Sequence, residues 1–332
     1  MKQPFSSFRL PESFVPPRLI LAPMHGLADD VIRDVLTRIG GFNACVTEFV
    51  RITHTIHSHT VWQKYMPELY TRNHTVAGTA VYLQLLGSDA DMVAENALNA
   101  VAFGADKIDL NFGCPAPTVN KHAGGAALLR YPKQIEHIVH TVRNRLPESI
   151  ILSAKMRLGY DNTDLALDCA HAIELGGAQM LTVHARTKQQ AYQPPADWLW
   201  IARIAEAVQI PVIANGDVFT LNDYIEVKKI SGCKSVMIGR GVIMQPGLAR
   251  QCAAYEAGKV IEPMAWTEVL DWLKLFLDLC CTKTDKPRYA AARLKQWLGM
   301  LKLNYSEAAL LFEQLRCLTD VEKIESVLIQ SD

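Results

Sequence analysis

The stretch running Met180-Leu-Thr-Val-His184, Val212-Ile-Ala-Asn215 and Ser235-Val-Met-Ile238 sets the fold, because these short apolar runs are separated by helical periodicity over 198–208 and 221–230. A β-branched run too short for a helix and bounded by Gly, Pro or Asp reads as a buried strand. Strands that alternate with helices build parallel βα units. Toward the N-terminus the same alternation places strands at 19–22, 44–47, 80–85, 107–111 and 150–155, and helices at 29–39, 89–103, 132–146 and 164–175. Eight such units over roughly 230 residues predict an α/β fold, a (β/α)8 TIM barrel. A doubly wound sheet is the rival, but its G-x-G-x-x-G turn is missing after the first strand, which ends Ala22-Pro23-Met24. Residues 53–79 are too long for an ordinary βα loop and read as an insertion at the barrel rim.

The pattern changes near Gly258. From Pro263 onward the periodicity is helical only, over 265–281, 290–303 and 306–318, with Ser306 and Glu307 as a capping region. This divides the chain into a catalytic barrel, 1–258, followed by a small all-helical domain, 259–332. At 332 residues and 49% hydrophobic, the chain can bury a large core and is not disordered. Lys+Arg and Asp+Glu are 34 each, which excludes a uniformly basic nucleic-acid binder but not a local patch. Such a patch exists: from Lys283 to Lys302 six basic residues face one acid, Asp285. A solvated helix face accounts for it as well as phosphate-backbone contact does.

No run approaches the roughly 18 apolar residues of a membrane span. The first 18 positions lack an apolar core and are expected not to form a signal peptide. The eight cysteines lie mostly in apolar runs without a C-x-x-C pair, so reduced thiols in a cytoplasmic protein are expected. Cys114 differs, because it lies between a strand and a Gly/Pro-rich loop.

Active sites of this fold lie at the C-terminal strand ends. Those ends carry Pro23 and Met24, Gln84, Asn111 to Pro115, Lys155, His184 to Arg186, Asn215-Gly216-Asp217 and Gly239-Arg240-Gly241. Glycine turns after the last two strands are the usual phosphate-binding place. Arg240 adds a bidentate clamp. Lys155 and His184 suit the polar edge of a ring attached to that phosphate, and Gln84 can both donate to and accept from a heterocycle.

The run Asp109-Leu-Asn-Phe-Gly-Cys-Pro115, followed by Val119-Asn120 and Gly124-Gly125-Ala126-Ala127-Leu128-Leu129, resembles the signature of the flavin-dependent tRNA-dihydrouridine synthases. So do Lys155-Met156-Arg157-Leu158-Gly159, Val183-His184-Ala185-Arg186-Thr187, Ile213-Ala214-Asn215-Gly216-Asp217 and Met237-Ile238-Gly239-Arg240-Gly241. The likeness covers nearly the whole chain, with its motifs in order. Ala185 departs from it where the family more often has Gly. Thr47-Glu48-Phe49-Val50-Arg51 and Ala292-Arg293-Leu294-Lys295-Gln296-Trp297-Leu298 are most similar to the bacterial C subfamily, which acts on uridine 16 of the tRNA D-loop.

The resemblance implies an FMN-bound barrel that reduces the uridine C5–C6 double bond, with NADPH, or NADH in its place, supplying electrons. Uracil C6 is conjugated to the C4 carbonyl and accepts hydride from reduced flavin N5, after which C5 needs a proton. A thiol with a pKa of about 8.5 stays protonated at neutral pH, and Cys114 is the implied acid. By the same analogy Pro23, Met24, Gln84, Lys155, His184, Asn215, Gly216, Asp217, Gly239 and Arg240 bind FMN. Asn111 and Tyr192 contact the uridine, which must leave its stack. Arg51, Arg288, Arg293 and Lys295 orient the tRNA, and a monomer keeps the barrel mouth open to it.

Simpler readings stand beside these. His184 reads equally well as a core histidine, and Asn111 as a turn cap. His54, His57 and His59 lack the further ligands and fixed scaffold of a zinc site, so no metal is expected. His137 and His140 share a helix face without an H-E-x-x-H context. Two other functions compete: a flavin reductase of free pyrimidines, of the dihydroorotate dehydrogenase type, and a non-catalytic tRNA-binding module. The basic C-terminal helices argue against the first, and the intact Cys114 and phosphate-loop set against the second.

Overall fold

The computed structural model describes residues 15–121, 123–284 and 286–330. Residues 1–14, on which the leader expectation largely falls, and Asp285 lie outside it. Eight parallel strands close into a barrel: β1 (Leu19–Leu21), β2 (Ala44–Val46), β3 (Ala80–Leu86), β4 (Lys107–Phe112), β5 (Ile151–Arg157), β6 (Met180–His184), β7 (Val212–Asn215) and β8 (Ser235–Ile238). Closure is made by β1, which pairs with β2 on one side and β8 on the other. A two-residue continuation of β2, Val50–Arg51, also pairs with β3. Every strand predicted from the sequence is present, displaced by at most two residues at an end.

The barrel interior is filled, not hollow: Ile20, Ala22, Val46, Tyr82, Met180, Ile213 and Met237 plug it below the mouth. A larger apolar layer joins the outer strand faces to the helices. Several of those helices begin where a side chain satisfies a first-turn amide. Asp29 accepts from Ile32 N at 3.2 Å and Asp89 from Met92 N at 3.0 Å. Thr220 and Asp223 form a reciprocal capping box.

The 53–79 segment is more than a rim loop. It folds as a helix, His59–Tyr65, and a 3-10 turn, Pro67–Thr71. Trp62 is buried there and donates Nε1 to Asn99 Oδ1 at 2.7 Å. Arg33 is paired with Glu68 through both carboxylate oxygens at 2.9 Å. The segment is thus bonded to helices Asp30–Ile39 and Ala90–Ala102, whose hydrogen-bonding side chains are its anchors.

Past Ile238 the described residues form helices only, among them Trp266–Lys283, Pro287–Leu301, Ser306–Leu315 and Val321–Gln330. The last of these, like Leu248–Glu256, was absent from the sequence reading. Tyr305, not Ser306, precedes the third of these C-terminal helices, and the Ser306 hydroxyl instead meets Glu307 Oε2 at 3.0 Å. These helices share the barrel's outer core: Trp297 is buried, stacks edge-on against Phe276 at 5.0 Å and donates to the Ile243 carbonyl at 3.0 Å. Among the described residues no helix is long and apolar enough to cross a membrane.

Candidate active site

A cavity of about 550 Å³ opens at the C-terminal ends of the strands. It brings together Pro23, Met24, Gln84, Asn111, Cys114, Lys155, His184, Tyr192, Asn215, Gly216, Asp217, Gly239 and Arg240. The register explains this convergence: Gln84 pairs with Asp109, Asn111 with Lys155, and His184 with Asn215 across adjacent strands.

The loop after β4 is pinned from several sides. Asn111 Oδ1 accepts from the amides of Gly113 and Cys114, both at 2.9 Å. Asn120 Nδ2 donates to the Cys114 carbonyl at 3.0 Å, and Ala126 N reaches the same oxygen at 3.1 Å. Gly125 is required beneath it: its φ is +59°, and a Cβ there would lie 2.9 Å from the Cys114 carbonyl oxygen. Burial pushes the Cys114 thiol pKa up, against smaller opposing effects of the Ala116 backbone and Arg157. The thiol is therefore a held, protonated group at neutral pH.

Around it the site is cationic. Lys155 Nζ donates to Asn215 Oδ1 at 2.9 Å, and burial, reinforced by Arg157, pushes its pKa down to about 7. His184 is held well below its ordinary value by burial and then by Lys155, Arg157, Arg186 and Arg240, so its ring is neutral. Its buried Nδ1 has no partner among the described residues, nor has Arg186 Nη1. A buried polar nitrogen left unpaired costs about 1–3 kcal/mol, so these atoms suit a ligand with matching polar groups. Asp217, at φ +53°, turns its carboxylate to Arg186 and to the Ala196 amide at 2.8 Å. Tyr192 is half-exposed at the mouth, with Arg240 4.6 Å and Arg157 5.2 Å from its ring centre. Gly241 permits the close approach of the β7 and β8 loops, since a Cβ there would lie 2.0 Å from the Val218 carbonyl oxygen.

The remaining expected residues lie away from the cavity lining. Arg51 accepts a bond from His57 at its carbonyl, 2.9 Å away. Arg293 donates to Asp29 Oδ1 at 2.8 Å and to the Leu27 carbonyl at 3.0 Å, and Lys295 donates to the Leu318 carbonyl at 2.9 Å. Both are turned into the protein, whereas Arg288 is exposed. Of the histidine trio, His57 lies edge-on to Trp62 and His59 lies tilted against Phe103.

Sequence reasoning gave no role to Arg157 or to the rim pair His25 and Phe49, stacked at 4.7 Å, all of which line the cavity; Arg186, read at a strand end, lines it as well. Arg157 carried a readable signal. It lies two positions beyond Lys155 on β5, and residues two apart on a strand share a face.

A barrel whose mouth gathers a protonated thiol, a neutral imidazole, a lysine and three arginines has the make-up of an enzyme active site. The family model for dihydrouridine synthase matches residues 20–323. The chain belongs to that family. It is 58% identical over 313 residues to the tRNA-dihydrouridine(16) synthase of Neisseria meningitidis serogroup B, covering 94% of each chain. It is also 48% identical to the enzyme of that name from Pseudomonas syringae pv. tomato, across 94% of this chain and 98% of the other. In fold alone it is similar to histamine dehydrogenase from Rhizobium sp. 4-9, at a TM-score of 0.52 and 14% identity over 73% of this chain and 46% of that one.

Proposed function

We propose that this enzyme reduces uridine 16 of the tRNA D-loop to 5,6-dihydrouridine, with FMN as cofactor and NADPH as reductant. The observation that carries the reading is Cys114: a thiol kept protonated by burial, on a loop fixed by Asn111, at the mouth of a cavity fit for an anionic ring ligand.

FMN fits the residues present. Arg240 and the backbone at Gly239 suit its phosphate. Lys155, Gln84, Asn215 and the unpaired His184 Nδ1 suit the polar edge of its ring, while Pro23, Met24, Gly216 and Asp217 complete the wall. When bound and reduced, FMN supplies hydride to uracil C6. Cys114 donates the proton to C5 and draws its own replacement from solvent. Asn111 and Tyr192 hold the uracil, with Tyr192 itself braced between Arg157 and Arg240.

The barrel, 1–258, carries the chemistry and the helices, 259–332, the tRNA. Arg288 and Arg51 meet phosphates; Arg293 acts from the seam between the two parts through Asp29, and Lys295 ties its helix to the Leu318 carbonyl, so that both hold the surface on which Arg288 stands. A cytoplasmic monomer would leave the cavity mouth open to tRNA. The test is to release and identify the bound flavin by mass, then follow NADPH oxidation with and without tRNA. FMN release and tRNA-stimulated oxidation are expected. A flavin-free protein, or one oxidised by free orotate and not by tRNA, would overturn the reading.

A further inference from the structure

A chain of buried hydrogen bonds runs below the Cys114 loop. Ser153 Oγ lies 2.6 Å from Asp109 Oδ1, Gln84 Nε2 donates to Asp109 Oδ2 at 2.7 Å, and Asn111 Nδ2 donates to Gln84 Oε1 at 2.8 Å. Asn111 Oδ1 then receives the Gly113 and Cys114 amides, both at 2.9 Å. Gln84 and Asp109 are almost wholly buried, so no water competes for these bonds.

The direction of the chain is fixed at both ends. A backbone N–H can only donate, so Asn111 must turn its oxygen to Cys114 and its amide nitrogen to Gln84. Gln84 must then turn its oxygen to Asn111 and its nitrogen to Asp109. Only a group that accepts can stand at position 109. A proton taken up by the buried carboxyl sits on Oδ1, toward Ser153, because Oδ2 is already receiving from Gln84; the polarity is the same in either charge state.

We infer that Asp109 is a positioning residue for the uridine reduction: it sets the amide orientation of Gln84 and Asn111 and through them holds the loop that presents Cys114. The inference rests on the proposed function for its catalytic part alone, because the hydrogen-bond chain exists without substrate.

The test uses the full-length, flavin-loaded protein as wild type, Asp109→Leu and Asp109→Asn. Hydrogen–deuterium exchange at the Gly113 and Cys114 amides is measured beside kcat and KM for tRNA. Leucine leaves Gln84 Nε2 buried without a partner, which should speed exchange at Cys114 and lower kcat, each by about tenfold, with KM for tRNA unchanged. Asparagine can still turn Oδ1 to Gln84 and Nδ2 to Ser153, and should restore both to within about twofold. Wild-type exchange and kcat in Asp109→Leu, or an asparagine variant as impaired as the leucine one, overturns the inference. Should Asp109→Leu fail to fold, Asp109→Ala removes the same acceptor without adding bulk and should raise Cys114 exchange in the same direction; unchanged exchange there is equally decisive against it. A wild-type protein that reduces no uridine would refute the proposed function, while the exchange comparison would still decide what Asp109 holds.

Discussion

Arg157 Nε donates to the Gly113 carbonyl at 3.0 Å, joining the end of β5 to the loop that carries Cys114. The same guanidinium also donates to the carbonyls of Thr187 and Ala191, at 3.0 and 2.9 Å. One side chain thus ties two mouth loops together. A lysine keeps the charge but not the planar fork that serves three carbonyls. Arg157→Lys should therefore lower kcat for uridine reduction by about tenfold, with the flavin retained. Wild-type kcat in that variant would remove Arg157 from the account.

Cys114→Ala should keep its flavin and its tRNA affinity while losing about 10²–10⁴-fold in reduction, the usual contribution of a positioned acid. Its pH dependence follows from the sign of the shift. Burial raises the thiol above its ordinary value, and an acid must be protonated to act, so the rate should stay level through neutral pH and fall only in the alkaline range above the ordinary thiol value. Stopped-flow reduction of tRNA across the alkaline range measures this. A fall beginning near neutrality would assign the proton to another group.

Lys155 drops from its ordinary 10.5 to about 7 in the folded protein. Between those values the unfolded chain binds the extra proton, so this group makes stability rise with pH through that window. A ligand that presents an acceptor to Lys155 reverses the shift. Adding FMN to flavin-free protein near pH 8 should therefore take up a proton, read as a heat of binding that changes with the buffer's ionisation enthalpy. Lys155→Met should abolish the uptake, and a buffer-independent heat for wild type would contradict the assignment.

Arg293 and Arg288 lie on one helix, Pro287–Leu301, and should behave differently. Burial raises the Asp29 carboxyl, but Arg293, then Lys283, and the hydrogen bonds from the Ile32 amide and Tyr289 together hold its pKa below the ordinary value. That stability is present above the ordinary carboxylate range and is lost as pH falls through the folded value. Arg293→Ala should cost about 2 kcal/mol and lower Tm, because it strips a partner from a largely buried carboxylate. Arg288→Ala should leave Tm unchanged and reduce the salt slope of tRNA binding by about one phosphate. A Tm unmoved by Arg293→Ala would take that residue out of the seam.

The barrel was legible because its strands are apolar runs with polar punctuation: Met180–His184, Val212–Asn215 and Ser235–Ile238 have the bounds read from the sequence. Helix Val321–Gln330 was not, since a mixed stretch near a terminus becomes a helix through packing, here on buried Ile324 and Leu328. The site was legible at strand ends, where the fold dictates direction. Arg186 and Asp217 were opaque as a pair, because the ion pair that turns Asp217 inward joins two loops 31 residues apart. The partner of Arg293 was opaque for a related reason. Basic charge along a helix suggests phosphate, and only the packed structure supplies Asp29 as its partner.

The most direct test of the central claim is to incubate the protein with dihydrouridine-free tRNA and NADPH, digest the tRNA and locate any gain of two hydrogens by mass. A gain confined to uridine 16 is the predicted result. No gain at any uridine, from a protein that holds FMN and is reduced by NADPH, would contradict it.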